Sequence, residues 1–293
     1  MARAHPVLPY AAVLGAIALL SLMDAVMKGA SLLIGAYSTL VVRSVFGLAL
    51  AAPLWLSSGT GWPAAPVVRL HVLRGVVVTG MSFTFFWGLT RLPLAEAIAI
   101  SFTAPLVALY LAALLLGERI GKGAVGASLI GLVGVVMIAA GRMEGNATPA
   151  SGWGIAAVLL SSLLYALNLV LQRKQALVAR PAEVSAFHQA VVLLSLALFA
   201  PWFLERPGLD ATLLSAAAAV LSVGGAMIFA WAYRRAETQA LAPLEYSGFL
   251  WAGLFGRLFF GEPVTPPTLA GAALIVLGCW IAAPRKRPEQ SAA

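Results

Sequence analysis

Leu94-Ala95-Glu96-Ala97-Ile98-Ala99-Ile100-Ser101-Phe102-Thr103-Ala104-Pro105-Leu106 runs on through Leu116-Gly117-Glu118, and a second stretch, Ala242-Pro243-Leu244-Glu245-Tyr246 through Phe260-Gly261-Glu262, repeats its plan. Each is an apolar segment closed by a Gly-Glu pair. A shift of 144 residues superposes them. The same shift brings Phe85 onto Phe229, Trp87 onto Trp231, Arg91 onto Arg235, Leu106 onto Leu250, Ala108 onto Ala252 and Gly134 onto Gly278, with no gap. A repeat at one fixed spacing is the first thing to settle, because it dictates how the rest of the chain is divided.

The surroundings are as apolar as the repeat. Of 293 residues, 61% are hydrophobic and 10% charged, and the mean hydropathy is +0.94. Soluble domains carry about 25% charged residues. A spanning helix needs about 20 apolar residues. Ten such spans are expected, near 8–28, 36–56, 72–91, 94–116, 122–141, 153–172, 183–203, 213–233, 238–260 and 266–283. The early apolar run reads as the first span rather than as a cleaved leader, since the segments after it are equally apolar. The longest connections, 57–71 and 142–152, are rich in turn formers. The expected fold class is all-α, a polytopic membrane protein. Its organisation is a first five-helix repeat over 1–141, a connecting loop at 142–151, a second repeat over 152–283 and a cytoplasmic tail at 284–293. Because five is odd, the second copy enters the membrane from the opposite side, the inverted arrangement of many secondary transporters.

The net charge of +8 could be taken for a nucleic-acid binder's. The cations, however, cluster between apolar runs, where topology accounts for them. Thirteen Lys and Arg fall on one side: Arg3, Arg69, Arg74, Arg119, Lys122, Arg173, Lys174, Arg180, Arg234, Arg235, Arg285, Lys286 and Arg287. Four fall on the other: Lys28, Arg91, Arg142 and Arg206. Both termini are therefore expected in the cytoplasm. The single cysteine, Cys279, forms no disulfide framework, and three histidines leave little room for a metal site. No cofactor, metal or nucleic-acid partner is expected; the partners are a small molecule and membrane lipid, with the oligomeric state open.

The repeated segments resemble the drug/metabolite transporter superfamily, in particular its ten-helix EamA-type members. The resemblance rests on the helix with Pro105 at mid-span, the terminal Gly117-Glu118, the Gly-rich Gly131-Leu132-Val133-Gly134-Val135, and the second copy ending in Gly261-Glu262 before Ala270-Gly271. The second copy departs from the pattern with Phe249 in place of the proline. The resemblance implies a secondary exporter of small metabolites, often amino acids, in a bacterial inner membrane. Within the superfamily the chain looks most like the YddG-type exporters of aromatic amino acids.

Polar groups inside spans are functional suspects, because hydrocarbon does not solvate them. Asp24 and Lys28 lie at i,i+4 and can pair, with Lys28 reaching the interface. Arg43 lies roughly 10 Å into its span; it either binds a substrate carboxylate or ties helices together. His188 sits at matching depth and can contact substrate, carry a proton or simply be buried and hydrogen-bonded. Glu245, beside Tyr246, is the best site for a substrate amine or a proton, and its repeat partner is Ser101. Asp24 and Glu245 are the carboxylates placed for proton coupling. Phe83 and Trp87, with Met227 and Trp231 in the second copy, form either aromatic walls of a site or ordinary core. Tyr165 and Asn168 add polar atoms at i,i+3. Glu118 and Glu262 are assigned to turn geometry, each beside the positive end of the following helix, and Glu96 to the interface.

The expected function is export of small metabolites, most of all aromatic or other hydrophobic amino acids, by alternating access. Export of cationic drugs is the alternative. An intramembrane enzyme lacks support, with no Gly-x-Ser-x-Gly elbow, paired intramembrane aspartates or His-Glu-x-x-His. A channel would want rings of repeated polar groups, which are lacking.

Overall fold

The computed structural model describes residues 7–59, 61–116, 122–144, 149–233, 235, 241 and 244–282. Arg3, Glu118 with its turn, Arg234, Ala242-Pro243 and the tail 284–293 lie outside the described residues, as do the side chains of Lys122, Arg142 and Arg173. Every regular element among the described residues is helical: α1 (Leu8–Leu56), α2 (Ala65–Leu89), α3 (Leu94–Ser101), α4 (Ala104–Leu116), α5 (Lys122–Glu144), α6 (Pro149–Ala176), α7 (Pro181–Ala197), α8 (Ala200–Phe203), α9 (Leu209–Tyr233), α10 (Gly248–Phe260) and α11 (Pro266–Ala282).

At 1.5 Å per residue, the 49 residues of α1 would reach about 74 Å, more than twice the hydrocarbon core. The chain resolves this at Ile34-Gly35, where the helix breaks and Gly35 adopts φ 74, ψ 154, a conformation open to a residue without Cβ. One glycine thus replaces the loop expected between the first two spans. The fourth span is divided into α3 and α4, and the seventh into α7 and α8. Four helices, namely α1, α2, the core of α6 and most of α9, are long and apolar enough to cross a membrane, and five shorter apolar helices accompany them. Large apolar residues such as Leu33, Leu114, Leu132, Leu194 and Leu250 face outward, as lipid-facing residues do. The fold is that of an all-helical polytopic membrane protein.

The fourth span breaks because Pro105 supplies no N–H to the helix. Phe102 and Thr103 turn instead, and the Thr103 hydroxyl donates to the Ile100 carbonyl at 2.7 Å. Tyr246 and Ser247, their repeat equivalents, turn as well, although no proline follows. There the amide of Ser247 bonds the Leu244 carbonyl (2.9 Å) and that of Leu250 bonds Ser247 (2.9 Å), a locally tightened i→i+3 pattern. The missing proline therefore does not leave this span continuous.

Equivalent contacts recur across the repeat. Leu164 presses on Gly80, and Leu20, the equivalent of Leu164, presses on Gly225, one residue beyond the equivalent of Gly80. Arg91 covers the Trp87 ring at 3.4 Å and bonds its carbonyl; Arg235 covers Trp231 at 4.2 Å and does the same. Phe102 and Tyr246, each other's equivalents, meet edge to face at 5.1 Å. A residue that touches its own equivalent lies on the axis relating the copies. The crossing of α5 and α11 agrees: Gly134 faces Gly271 and Ile275, while Gly141 faces Pro267. The two equivalent helices therefore run antiparallel.

Candidate functional site

The polar side chains gather in three places. At one end of the molecule, α1 brings Lys28 to the turn between α10 and α11. Its ammonium pairs with Glu262 and donates to the Leu92 carbonyl at 2.6 Å, and it lies 5.1 Å from the Phe260 ring centre. The second oxygen of Glu262 accepts the amide of Leu94 at 2.8 Å. Leu94 opens α3, so this carboxylate caps a helix of the other half, whereas the sequence pointed to the helix directly after it. The preceding Gly261 does take the turn conformation, with φ 65. Glu96, assigned to the interface, is buried and accepts from the Thr268 hydroxyl at 3.3 Å.

At the opposite end a buried chain of hydrogen bonds joins α2, α6 and α7. Arg74 donates through Nε to Asn168 (2.8 Å) and through Nη1 to Gln175 (2.6 Å). Gln175 bonds His71 Nδ1, and His71 Nε2 meets Glu183 at 2.9 Å. The His71 ring stacks on Phe187 at 4.5 Å, and Phe187 abuts Trp55 and Trp62. Sequence reasoning missed His71, Gln175 and Glu183 and counted Arg74 as an interfacial cation. The available signal was an Arg three residues after a His at a span's entry, facing an Asn and a Gln seven apart on another helix.

Between these ends lies a mixed cluster. Asp24 in the first half of α1 and Arg43 in the second lie within electrostatic range of each other. His188 on α7 is within range of both Arg43 and Arg74. Asp24 and His188 are only partly buried, whereas Arg43 is buried. Lys28, expected beside Asp24, is the ion-pair partner of Glu262. Across the bundle, Glu245 lies in range of Tyr165 and Tyr246, and Tyr246 bonds Cys279. The Cys279 thiol in turn donates to the Phe102 carbonyl at 3.1 Å. Tyr165 is 38% exposed although it sits in mid-helix, one turn from the buried Asn168. The Ser101 hydroxyl closes on its own helix, at the Ala97 carbonyl (2.8 Å). Phe83 packs against the core partly buried, Trp87 and Trp231 lie beneath their arginines, and Met227 is exposed. Thus Arg43 lies within electrostatic range of Asp24 and His188, and Glu245 within range of Tyr246 and Tyr165. Among the described residues no group of His, Cys, Asp and Glu could hold a metal ion.

Broken helices at an axis with charges beside them are also a feature of secondary transporters with discontinuous helices. Known proteins bear on the family. The pseudopaline exporter CntI of Pseudomonas aeruginosa is 28% identical over 262 residues, covering 88% of this chain and 90% of the exporter. An S-adenosylmethionine uptake transporter of Rickettsia felis is 25% identical over 212 residues (71% of this chain, 69% of that one). A riboflavin transporter of Rhizobium johnstonii is 27% identical over 211 residues (70% and 67%). A solved crystal structure of a protein at 24% identity matches with a TM-score of 0.63, covering 94% of this chain and 96% of that one, a likeness of fold. The model of the EamA-like transporter family matches twice, over residues 8–140 and 152–283. The chain belongs to the EamA-like transporter family, within the drug/metabolite transporter superfamily.

Proposed function

We propose that this transporter exports small zwitterionic metabolites, amino acids with aromatic or other hydrophobic side chains foremost, by alternating access across a bacterial inner membrane. The observation that carries the reading is the Asp24–Arg43–His188 cluster. Asp24 and Arg43, of opposite sign, stand with the imidazole of His188 inside an otherwise apolar bundle, and the side chains of Asp24 and His188 are partly exposed. A zwitterion satisfies both signs, and the aromatic surface offered by Tyr165, Tyr246 and Phe102 suits an apolar side chain. YddG-type exporters of aromatic amino acids would share this chemistry. The relatives named above include both an exporter and uptake transporters, so direction is part of the proposal.

The two halves, 1–141 and 152–283, rock about the Phe102–Tyr246 contact and the Gly134–Gly271 crossing. With both termini cytoplasmic, the Lys28–Glu262 pair closes the outer end and the Arg74 chain the inner end. Asp24 and Glu245 are the carboxylates we assign to proton exchange. The chain performs transport and not intramembrane catalysis. A second reading is favoured by Glu245 with its two tyrosines, an anionic aromatic corner that suits cations. Under it, lipophilic cations are the cargo.

The test is uptake into proteoliposomes holding the purified full chain, with labelled phenylalanine and a labelled quaternary ammonium drug. Saturable phenylalanine uptake above protein-free liposomes is expected, driven further by a pH gradient and uncoupled from it in Asp24→Asn or Glu245→Gln. Uptake of the cation alone would replace the first reading with the second, and uptake of neither would overturn both.

A further inference from the structure

Three buried polar atoms at the junction of α1 and α7 have no hydrogen-bond partner among the described residues: Nε of Arg43, the hydroxyl of Ser44 and Oε1 of Gln189. Their residues are 6%, 0% and 5% exposed. Buried polar atoms are overwhelmingly paired, and each exception needs an explanation. One stray atom could be an accident of packing, but three stand on two helices that meet at Gly47. Gly47 lies one turn beyond Arg43 and Ser44, so all three share one side of the helix. The amide of Gln189 rests directly on Gly47, where a Cβ would come within 2.5–2.9 Å of its amide atoms. The absence of a side chain at Gly47 is what lets Gln189 reach this place.

The electrostatics have a sign. Two guanidinium groups, Arg43 and Arg74, lie within range of His188, while Asp24 is the carboxylate within range of Arg43. Arg74 commits Nε and Nη1 to Asn168 and Gln175, and Glu183 is engaged by His71 at the far end of that chain. Of these two guanidinium groups, Arg43 is thus the one whose Nε is left to donate. A guanidinium N–H beside a hydroxyl, in surplus positive charge, is the donor set for a carboxylate. The unpartnered Oε1 of Gln189, whose amide rests on Gly47 one turn along the helix, is an acceptor, suited to an ammonium N–H.

We propose that Arg43, Ser44 and Gln189 form the seat for the cargo's carboxylate head: Arg43 Nε and the Ser44 hydroxyl donate to the carboxylate, and Gln189 Oε1 accepts from an adjacent ammonium. The inference rests on the reading of this chain as an amino-acid transporter and specifies it further. The cargo carries a free carboxylate, so amides and esters of the same molecules are rejected.

The experiment measures thermal stabilisation of the detergent-purified full chain by phenylalanine, phenylacetate and phenylalaninamide. Phenylalanine is expected to stabilise at the lowest concentration, phenylacetate at a higher one, and the amide only about tenfold above phenylalanine or not at all. Ser44→Ala should weaken both carboxylates. Gln189→Leu should weaken phenylalanine and leave phenylacetate unchanged, a split that general loss of packing would not produce. Circular dichroism and elution volume establish that the variants are folded. Stabilisation by the amide equal to that by phenylalanine overturns the seat, as does phenylalanine binding unaltered in both variants, or no stabilisation by any probe. Phenylacetate binding that Ser44→Ala abolishes, without phenylalanine binding, would leave the seat standing and remove the amino-acid reading.

Discussion

The two ends of the molecule are closed by different devices. At one end the ion pair Lys28–Glu262 is anchored on two backbone groups, the Leu92 carbonyl and the Leu94 amide, and Glu262 stays partly exposed. At the other, five side chains run in a buried row from Asn168 through Arg74, Gln175 and His71 to Glu183, with Phe187 stacked beneath. Both tie the first half of the chain to the second. The difference teaches which end yields first. The pair has one partner, Glu262, that water reaches in part, so it is disengaged at less cost than a row buried throughout, although Lys28 itself is buried. A buried row must be broken together, since each member left unpaired inside costs heavily.

The largest expected effect is therefore in the buried row. Arg74→Leu strands the acceptors of Asn168 and Gln175, and at about 1–3 kcal/mol for each buried acceptor left unsatisfied it should destabilise the protein by about 2–6 kcal/mol. Loss of monodisperse protein on heating in detergent measures it. Survival with an unchanged melting temperature would show that the row closes nothing.

Second is the crossing that both ends share. A Cβ on Gly134 would stand 2.5 Å from the Gly271 carbonyl oxygen, a backbone atom that cannot turn aside. Gly134→Ala should cost about 1–3 kcal/mol through overpacking and slow transport. Gly126→Ala on the same helix meets nothing within 4 Å and should be neutral or slightly stabilising. Equal melting temperatures for the two variants would contradict the close approach.

Smaller again is Lys28→Met at the lighter end. Glu262 keeps the Leu94 amide, so a loss of about 1–2 kcal/mol is expected. The clearer sign is conformational: a cysteine placed at Thr90, on the rim pocket beside Lys28, should react faster with a polar thiol reagent than in the parent. An unchanged rate would mean that the ion pair does not hold this end shut. Least is Arg91→Gln, which removes a cation from above Trp87. About 0.5–1 kcal/mol is expected, and Arg235→Gln over Trp231 should cost no more.

Much of the fold was legible because membrane folding rests on signals that sequence carries openly: span length, hydropathy and a repeat at one spacing. Gly35 was not legible as a loop in itself, since an apolar run through a single glycine shows no polar break. The turn at Tyr246-Ser247 was hidden for the opposite reason. The proline that marks its equivalent is missing, and tertiary contact with Phe102 accompanies the turn. In the site, Asp24, Arg43 and His188 stood out because a charge in hydrocarbon is conspicuous in any sequence. Their partners were not deducible. Lys28 goes to Glu262, 234 residues away, and not to Asp24 one turn back. Gln189 and Gln175 passed unnoticed, because a neutral amide in an apolar helix draws attention only once its neighbours are known.

The central claim is that the two closures open in turn, so locking either must stop transport. Cysteines at Lys28 and Glu262, or at His71 and Glu183, in a Cys279→Ser background, can be bridged by a bifunctional thiol reagent cleaved by reductant. The measurement is labelled phenylalanine uptake into proteoliposomes before bridging, after it and after reduction. The account predicts that either bridge alone abolishes uptake and that reduction restores it. Uptake that continues at the unbridged rate with either end locked would contradict it.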